Sequence, residues 1–489
     1  MKSIVELAVD TARALGATYA DARIVERHQQ SIQVKNGAVD SLSDTVDRGI
    51  GVRVVADGAW GFASSARLEK ADVEAVAAFA VEIAKASAVT QEEPVRLGPA
   101  VTSTGAYKTP VEIDPFDVSV EDKVGLLLDA DREMRSVDDV RVTRGNLVCL
   151  RDRKFFANSE GASTEQEIVE SGGGIVAVAV DEGEVQQRSY PNSFARDQRT
   201  LGWEYIDEVD LVGNGRRVAS EAVALLSADP CPSTVTTIIL GPTQLALQIH
   251  ESCGHPTELD RVFGTEAAYA GTSFLTPDKL DDLRYGSSVV NLTADATLPG
   301  GLGTFGWDDE GVPAKRVELV RNGLFVGYLT SRETAVQLAR IKGADPEKAR
   351  SGGAMRASGW NRVPLIRMTN ISIEPGDWTF EDLLADTEEG IYMEMNRSWS
   401  IDDKRLNFQF GTEIGYEIKG GKLGRMLKNC TYTGMTPEFW RSCDAVCDRD
   451  HWQVWGTPNC GKGQPSQIAH TGHGAAPARF RNVQVGVMK

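Results

Sequence analysis

Basic residues are in the minority in this chain. Lys and Arg number 52 against 70 Asp and Glu, for a formal net charge of −18 and an isoelectric point near 4.9. That balance argues against nonspecific nucleic-acid binding and against docking on an anionic membrane. Long apolar runs are missing: none approaches the roughly 20 residues that a membrane span needs. In the opening stretch MKSIVELAVDTARALG, charged Glu6, Asp10 and Arg13 break up any secretory core. The pattern is that of an amphipathic helix, so a cytoplasmic location is expected. Cysteine is sparse and odd in number, with seven residues. In a reducing compartment this reads as free thiols or metal ligands, not a disulfide framework. Histidine is rarer still, with six in 489 residues.

Two of those six fall in one short stretch, His250-Glu251-Ser252-Cys253-Gly254-His255, an H-E-x-x-x-H segment. It offers two metal-ligating imidazoles with a carboxylate beside the first. Residues 233–240 (STVTTIIL) are β-branched and apolar and read as a buried strand. Gly241-Pro242 then turns the chain, with Pro242 suited to the first helical position. Leu245, Ile249 and Cys253 recur at spacing four and mark one apolar helix face. In the familiar H-E-x-x-H zinc motif the histidines are four apart and share a face. At five apart, a regular helix separates them by roughly 140°. Two local devices restore convergence. Either the helix ends near Gly254, because His255 precedes Pro256, or a π-bulge realigns the pair.

A catalytic zinc takes three protein ligands and keeps one position open. The motif supplies two. Candidates for the third are Cys253, Glu258, His451, Cys460, His470 and His473. Cys253 is disfavoured because its helical position faces the apolar side. Cys460 lies in a tight loop, TPNCGKGQ, where Lys462 is placed to lower the thiol pKa and favour thiolate. A buried free thiol is the alternative reading of Cys460. A structural zinc cluster of Cys430, Cys443, Cys447 and Cys460 competes, although paired C-x-x-C knuckles are absent.

A chain of this length is too long for one core. The expected fold class is α+β: an N-terminal duplicated α+β unit followed by a largely antiparallel, β-rich catalytic domain. The domains are expected at 1–228 and 229–489, divided near the Pro-rich ADPCP segment. The duplication is visible where RGIGVRVVADGAWGFASS and SGGGIVAVAVDEGEVQQRS share a glycine-rich start, an apolar strand, an acidic-Gly turn and a second strand. Two-residue hairpin turns are predicted at Asn36-Gly37, Asp57-Gly58, Glu182-Gly183, Asn322-Gly323 and Gly420-Gly421. Residues 206–228 and 437–447 read as helices. The tail after 447 reads as irregular until a strand at 481–487.

Four segments together resemble the TldD/PmbA family of zinc metalloproteases. They are HESCGH at 250–255, GTFGWDDEGVPAKRVELVRNGLFVGYL at 303–329, RVPLIRMTNISIEPG at 362–376 and WGTPNCGKGQP at 455–465. The resemblance spans nearly the whole chain. It implies zinc (Zn2+) held by His250, His255 and Cys460, with Glu251 as the catalytic base. It also implies a heterodimer with a PmbA-type subunit, this chain being the TldD-type, motif-bearing member. The cleft would accept extended peptides by strand addition. The family's roles include trimming modified peptide precursors and clearing unfolded peptides. Two rivals are a zinc amidohydrolase of small molecules and a noncatalytic peptide-binding subunit with a structural zinc.

Overall fold

The structure, a computed structural model, describes residues 1–486. Its first half is built around one large sheet. Helix α1 (Lys2–Ala14) leads into β1 (Tyr19–Lys35), β2 (Ala38–Ala56) and β3 (Ala59–Ser65), then α2 (Lys70–Ala88). After β4 (Thr104–Lys108) the order returns: α3 (Val120–Arg135), β5 (Val140–Asn158), β6 (Ser163–Asp181), β7 (Glu184–Tyr190) and β8 (Asp197–Arg199), then α4 (Glu204–Val209) and α5 (Leu211–Ser227). The strand order is β3-β2-β1-β5-β6-β4, with β7 and β8 also paired to β6. Equivalent strands β1 and β5 meet antiparallel at the centre, from Asp21 opposite Asn158 to Lys35 opposite Arg144. The two copies are therefore related by a local two-fold within one continuous sheet. Each keeps its own core, one around Ala8, Ile24, Val52 and Ala80, the other around Leu127, Leu147, Ile175 and Ala219.

The second half surrounds the H-E-x-x-x-H segment with strands. Thr234–Leu240 runs parallel to Glu389–Ile401 on one side and antiparallel to Ala478–Val485 on the other. The path continues through Thr431–Met435 to Asn407–Lys419, which also pairs with Glu389–Ile401. The sheet thus closes on itself, leaving no free edge among those five strands. A smaller sheet (Leu292–Asp295, Arg316–Arg321, Leu324–Phe325, Ile371–Ile373) and a two-stranded hairpin (Gln453–Lys462 with Gln467–Ala475) complete it. One core spans this half, including Ile239, Leu245, Ile249, Cys253, Met368 and Trp440.

All five expected hairpin turns are present, each with positive φ at both central residues (Asn36 49°, Gly37 83°), the requirement of a type I′ turn. Other expectations need correction. The helix expected over 206–228 breaks at Asp210, which takes a left-handed φ of 47° and caps α5 through its carboxylate. The helix expected over 437–447 stops at Arg441, and Cys443–Val446 is a strand. The tail expected to be irregular forms three strands up to Val485; Val487, the last residue of the expected strand, lies outside the described residues. Glycine obscured these strands. Gly456 lies against the Gln198 backbone, Gly472 against Asn370 and Gly474 against Trp452, so close packing stands where apolar alternation would. No helix among the described residues is long and apolar enough to cross a membrane.

Candidate metal centre

Helix α6 (Pro242–Ile249) follows the strand expected to be buried, of which only Ile238, Ile239 and Leu240 are, with proline in its first turn as the sequence predicts. It is buried almost all round, so its polar side chains need internal partners. A ladder supplies them. Gln244 donates to the Tyr432 hydroxyl at 2.9 Å, and that hydroxyl donates to Gln248 at 2.9 Å. Gln248 in turn donates to Ser252 Oγ at 3.0 Å, where Trp440 Nε1 donates as well, also at 3.0 Å. These bonds fix the helix rotation, and with it the direction of His250.

The chain does not leave the helix at Gly254. Residues His250–Gly254 form a π turn, in which the His255 N–H donates to the His250 carbonyl five residues back. His255 keeps helical angles (φ −56°, ψ −42°) despite the proline that follows. Of the two devices, the π turn is the one used. It brings residues five apart onto one face, and the rings of His250 and His255 meet edge to face with centroids 4.9 Å apart. The carbonyls it releases are satisfied: Tyr285 Oη donates to Ser252 O at 2.7 Å, and Thr257 Oγ1 reaches Cys253 O and Gly254 O at 3.1 and 2.7 Å.

The third donor arrives on the Gln453–Lys462 strand. Its register with Gln467–Ala475 shifts between Thr457 and Cys460, a bulge that re-aims the following side chain. Cys460 Sγ lies 3.7 Å from His255 Nε2. Donor atoms of His250, His255 and Cys460 all fall within 4.8 Å of one another, the one such group of three among the described residues. All three side chains are buried. The four cysteines of the competing cluster are not brought together in this way.

Hydrogen bonds leave the right atoms free. His473 Nδ1 lies 3.1 Å from the Ile371 carbonyl, which only accepts, so Nδ1 carries the proton. His473 Nε2 is then the acceptor for His250 Nδ1 at 2.8 Å, leaving His250 Nε2 bare. His255 donates through Nδ1 to the buried Glu258 carboxylate at 3.0 Å, leaving its Nε2 bare toward the thiol. A carboxylate stands behind His255 and, behind His250, an imidazole anchored to a carbonyl; a hydrogen-bond acceptor on the far ring nitrogen is the usual support of a metal-binding histidine. Burial pushes the His250 pKa down to about 4, and that of His255 well below its ordinary value. Both rings are therefore neutral at neutral pH, as ligands must be. Burial alone would raise the Cys460 thiol, but Arg367 and His255 bring it below the ordinary value. The cation responsible is Arg367, which donates to the Cys460 carbonyl at 2.6 Å. Lys462, expected in that role, is committed to Asp260 and the Ile366 carbonyl at 2.7 and 2.8 Å.

The chemistry of the donor set suits zinc, and one pair stands at a zinc-like separation. Two ligands at about 2.05 Å (N) and 2.3 Å (S) around a tetrahedral ion would lie about 3.6 Å apart; His255 Nε2 and Cys460 Sγ are 3.7 Å apart. Three donors, not four, leave a position open, the mark of catalytic sites.

Glu251 sits on the same turn, 6 % exposed, and accepts from Arg405 Nη1 at 2.6 Å. Arg405 comes from the tip of the hairpin between Glu389–Ile401 and Asn407–Lys419, and its own carbonyl is held by Thr436 Oγ1 at 2.8 Å. Sequence reasoning passed over Arg405 and Arg367, since nothing local marks either. The other proposed third ligands lie elsewhere. Cys253 packs in the core against Tyr285 with its thiol pushed up to about 12; His451 pairs with Asp448 at 2.7 Å; His470 pairs with Glu170 at 2.6 Å. Glu258 and His473 lie behind the donors. The donors and Glu251 face a cleft of about 250 Å³.

Comparison with known proteins gives the family. Residues 233–486 match the PmbA/TldA metallopeptidase C-terminal domain, 20–84 its domain 1 and 113–226 its central domain. A metalloprotease of Methanocaldococcus jannaschii is 32% identical over 432 residues, 88% of this chain and 89% of its own length. A protein of Saccharolobus solfataricus named as a zinc metalloprotease TldD homolog is 21% identical, covering 88% of each chain. In fold, TldE from Thermococcus kodakarensis superposes with a TM-score of 0.74 at 17% identity, over 99% of this chain and 100% of that one. The chain belongs to the PmbA/TldD family of metallopeptidases.

Proposed function

We propose that this protein is a zinc-dependent peptidase that hydrolyses extended or unfolded peptides, in partnership with a PmbA-type subunit. The observation that carries the proposal is the convergence of three bare donor atoms, on His250, His255 and Cys460, beside a buried glutamate. Bound zinc would polarise a carbonyl and acidify a water. The remaining work belongs to the chain. Glu251 takes the proton of the attacking water and delivers it to the leaving amine. Arg405 occupies Glu251 Oε2 and so holds the carboxylate in one orientation, with Oε1 left for the proton. Glu258 and His473 keep the two imidazoles in a single tautomer.

The solfataricus relative's name supports zinc, and the likeness to TldE supports a partner of the same fold. A peptide backbone entering the cleft as an added strand would suit unfolded chains and exclude folded ones. The test is metal analysis of the purified full chain together with digestion of an unstructured peptide, with and without the PmbA-type subunit. Zinc at one per chain with zinc-dependent cleavage supports the reading. Hydrolysis of small amides but of no peptide, or retention of peptide without turnover, replaces it.

A further inference from the structure

The mouth of the cleft is built from a strained segment. Phe194 and Ala195 both adopt left-handed backbone, with φ of 61° and 55°. Such strain in non-glycine residues persists only where the surroundings impose it, and it clusters at ligand clamps. The surroundings here are specific. Asn192 Nδ2 donates to the Gly456 carbonyl at 3.4 Å, which ties the segment to the hairpin bearing Cys460. Ser193 Oγ accepts the Asn396 N–H at 2.8 Å, which ties it to the Glu389–Ile401 strand. The result is to put Phe194 edge-on to Trp399, ring centroids 5.8 Å apart, with the Arg196 guanidinium 4.9 Å over the Phe194 ring. Phe194, Arg196 and Trp399 line the same cleft as His250, Glu251 and Cys460.

Arg196 differs from the other arginine in that cleft. Arg405 is committed to Glu251 at 2.6 Å. Among the described residues, no carboxylate or other acceptor meets the partly buried Arg196 guanidinium. Burial lowers its pKa and no neighbouring acid opposes the shift. Its nitrogens reach the open cleft and not a counter-ion, and in a chain with 70 acidic residues against 52 basic the omission is local, not compositional. A planar guanidinium placed over an aromatic ring keeps its N–H fork available to a carboxylate.

Resting on the peptidase reading above, we propose that Arg196, framed by Phe194 and Trp399, is a substrate subsite that binds a carboxylate of the peptide. The carboxylate belongs either to the C-terminus or to an Asp or Glu side chain.

The test separates this subsite from catalysis. The full chain is stripped of metal by a chelator, so that no peptide is consumed, and titrated calorimetrically with two peptide pairs. One pair differs only in a free or amidated C-terminus, the other only in an internal Glu or Gln. A charged peptide is expected to bind about tenfold more tightly than its neutral twin. Arg196→Gln removes that preference and Arg196→Lys keeps part of it, which a merely structural role would not produce. Discrimination in the first pair assigns the C-terminus, and in the second the side chain; either supports the subsite. Equal affinities within both pairs, or binding of none of the four peptides, overturns it. The same peptides are then offered to the zinc-loaded enzyme together with its PmbA-type subunit. Charge preference in binding with no cleavage leaves the subsite standing and removes the peptidase; cleavage with no charge preference does the reverse.

Discussion

His250 and His473, 223 positions apart in the chain, share a hydrogen bond of 2.8 Å, and His473 is itself anchored to the Ile371 carbonyl. The relay runs from a strand carbonyl through one imidazole to the next and ends at a bare nitrogen facing Cys460 and His255. In the proposed site His473 would support a ligand without being one. His473→Ala is expected to weaken zinc binding by about 10–100-fold, the usual effect of losing such a partner. Competition with a chelator of known affinity measures it. His470→Ala is the control: His470 is engaged by Glu170 and lies outside the donor group, so affinity should stay at the wild-type value.

Glu251 and Arg405 separate metal binding from turnover. Glu251→Gln is expected to keep full zinc content while cleavage falls by about 10²–10⁴, the range for loss of a general acid–base group. Arg405→Ala should also keep zinc. Because Arg405 acts through Glu251, kcat should fall with KM little changed, and Arg405→Lys should restore part of it. Steady-state kinetics with metal analysis of each variant decides. Loss of zinc from Glu251→Gln would make that residue part of the ligand sphere.

Proton release on zinc uptake follows from burial. With ordinary pKa values near 6.5, both imidazoles would be mostly protonated at pH 5.5, and zinc would displace nearly three protons including the thiol's. Here His250 is lowered to about 4 and His255 well below its ordinary value, so neither ring carries a proton to lose. Only the Cys460 thiol can. No more than one proton per zinc is expected at pH 5.5, against nearly three for unshifted ligands. Affinity should fall about tenfold for each unit that pH drops below the thiol pKa, and level off above it. Calorimetry in two buffers of different ionisation heat counts the protons.

The hairpin that carries Cys460 is held against the first sheet. Asp197, on β8, accepts the Gly456 N–H, and a Cβ at Gly456 would sit 2.0 Å from the Gln198 carbonyl oxygen. Backbone cannot yield there as a flexible side chain would. Gly456→Ala is expected to cost about 1–3 kcal/mol of stability, read by denaturant unfolding. It should also weaken zinc binding, because the thiol sits four residues further along the same strand.

Much of this was legible from local pattern. The H-E-x-x-x-H segment stands out because histidine is scarce, and its five-residue spacing already required a π turn or a helix end. Hairpin turns were read correctly because Asn-Gly and Asp-Gly carry their own backbone preference. Cys460 stands out by its glycine- and proline-rich surroundings, which read as a tight loop but form a strand, and by family resemblance. Arg405, Arg367 and the role of His473 were not legible, since each acts through contacts more than 90 residues away along the chain. The C-terminal strands were hidden for another reason. Their buried positions are filled by glycines that let a neighbouring chain approach, and alternation of apolar side chains has nothing to register there.

The central claim is that one zinc ion is shared by His250, His255 and Cys460. X-ray absorption of the zinc-loaded full chain tests it most directly. The expected spectrum has three light scatterers at about 2.0–2.1 Å, two imidazole nitrogens and a water oxygen, and a single sulfur at about 2.3 Å, with the sulfur shell lost and zinc content reduced in Cys460→Ser. A shell of four sulfurs, or an unchanged sulfur shell in that variant, would contradict it.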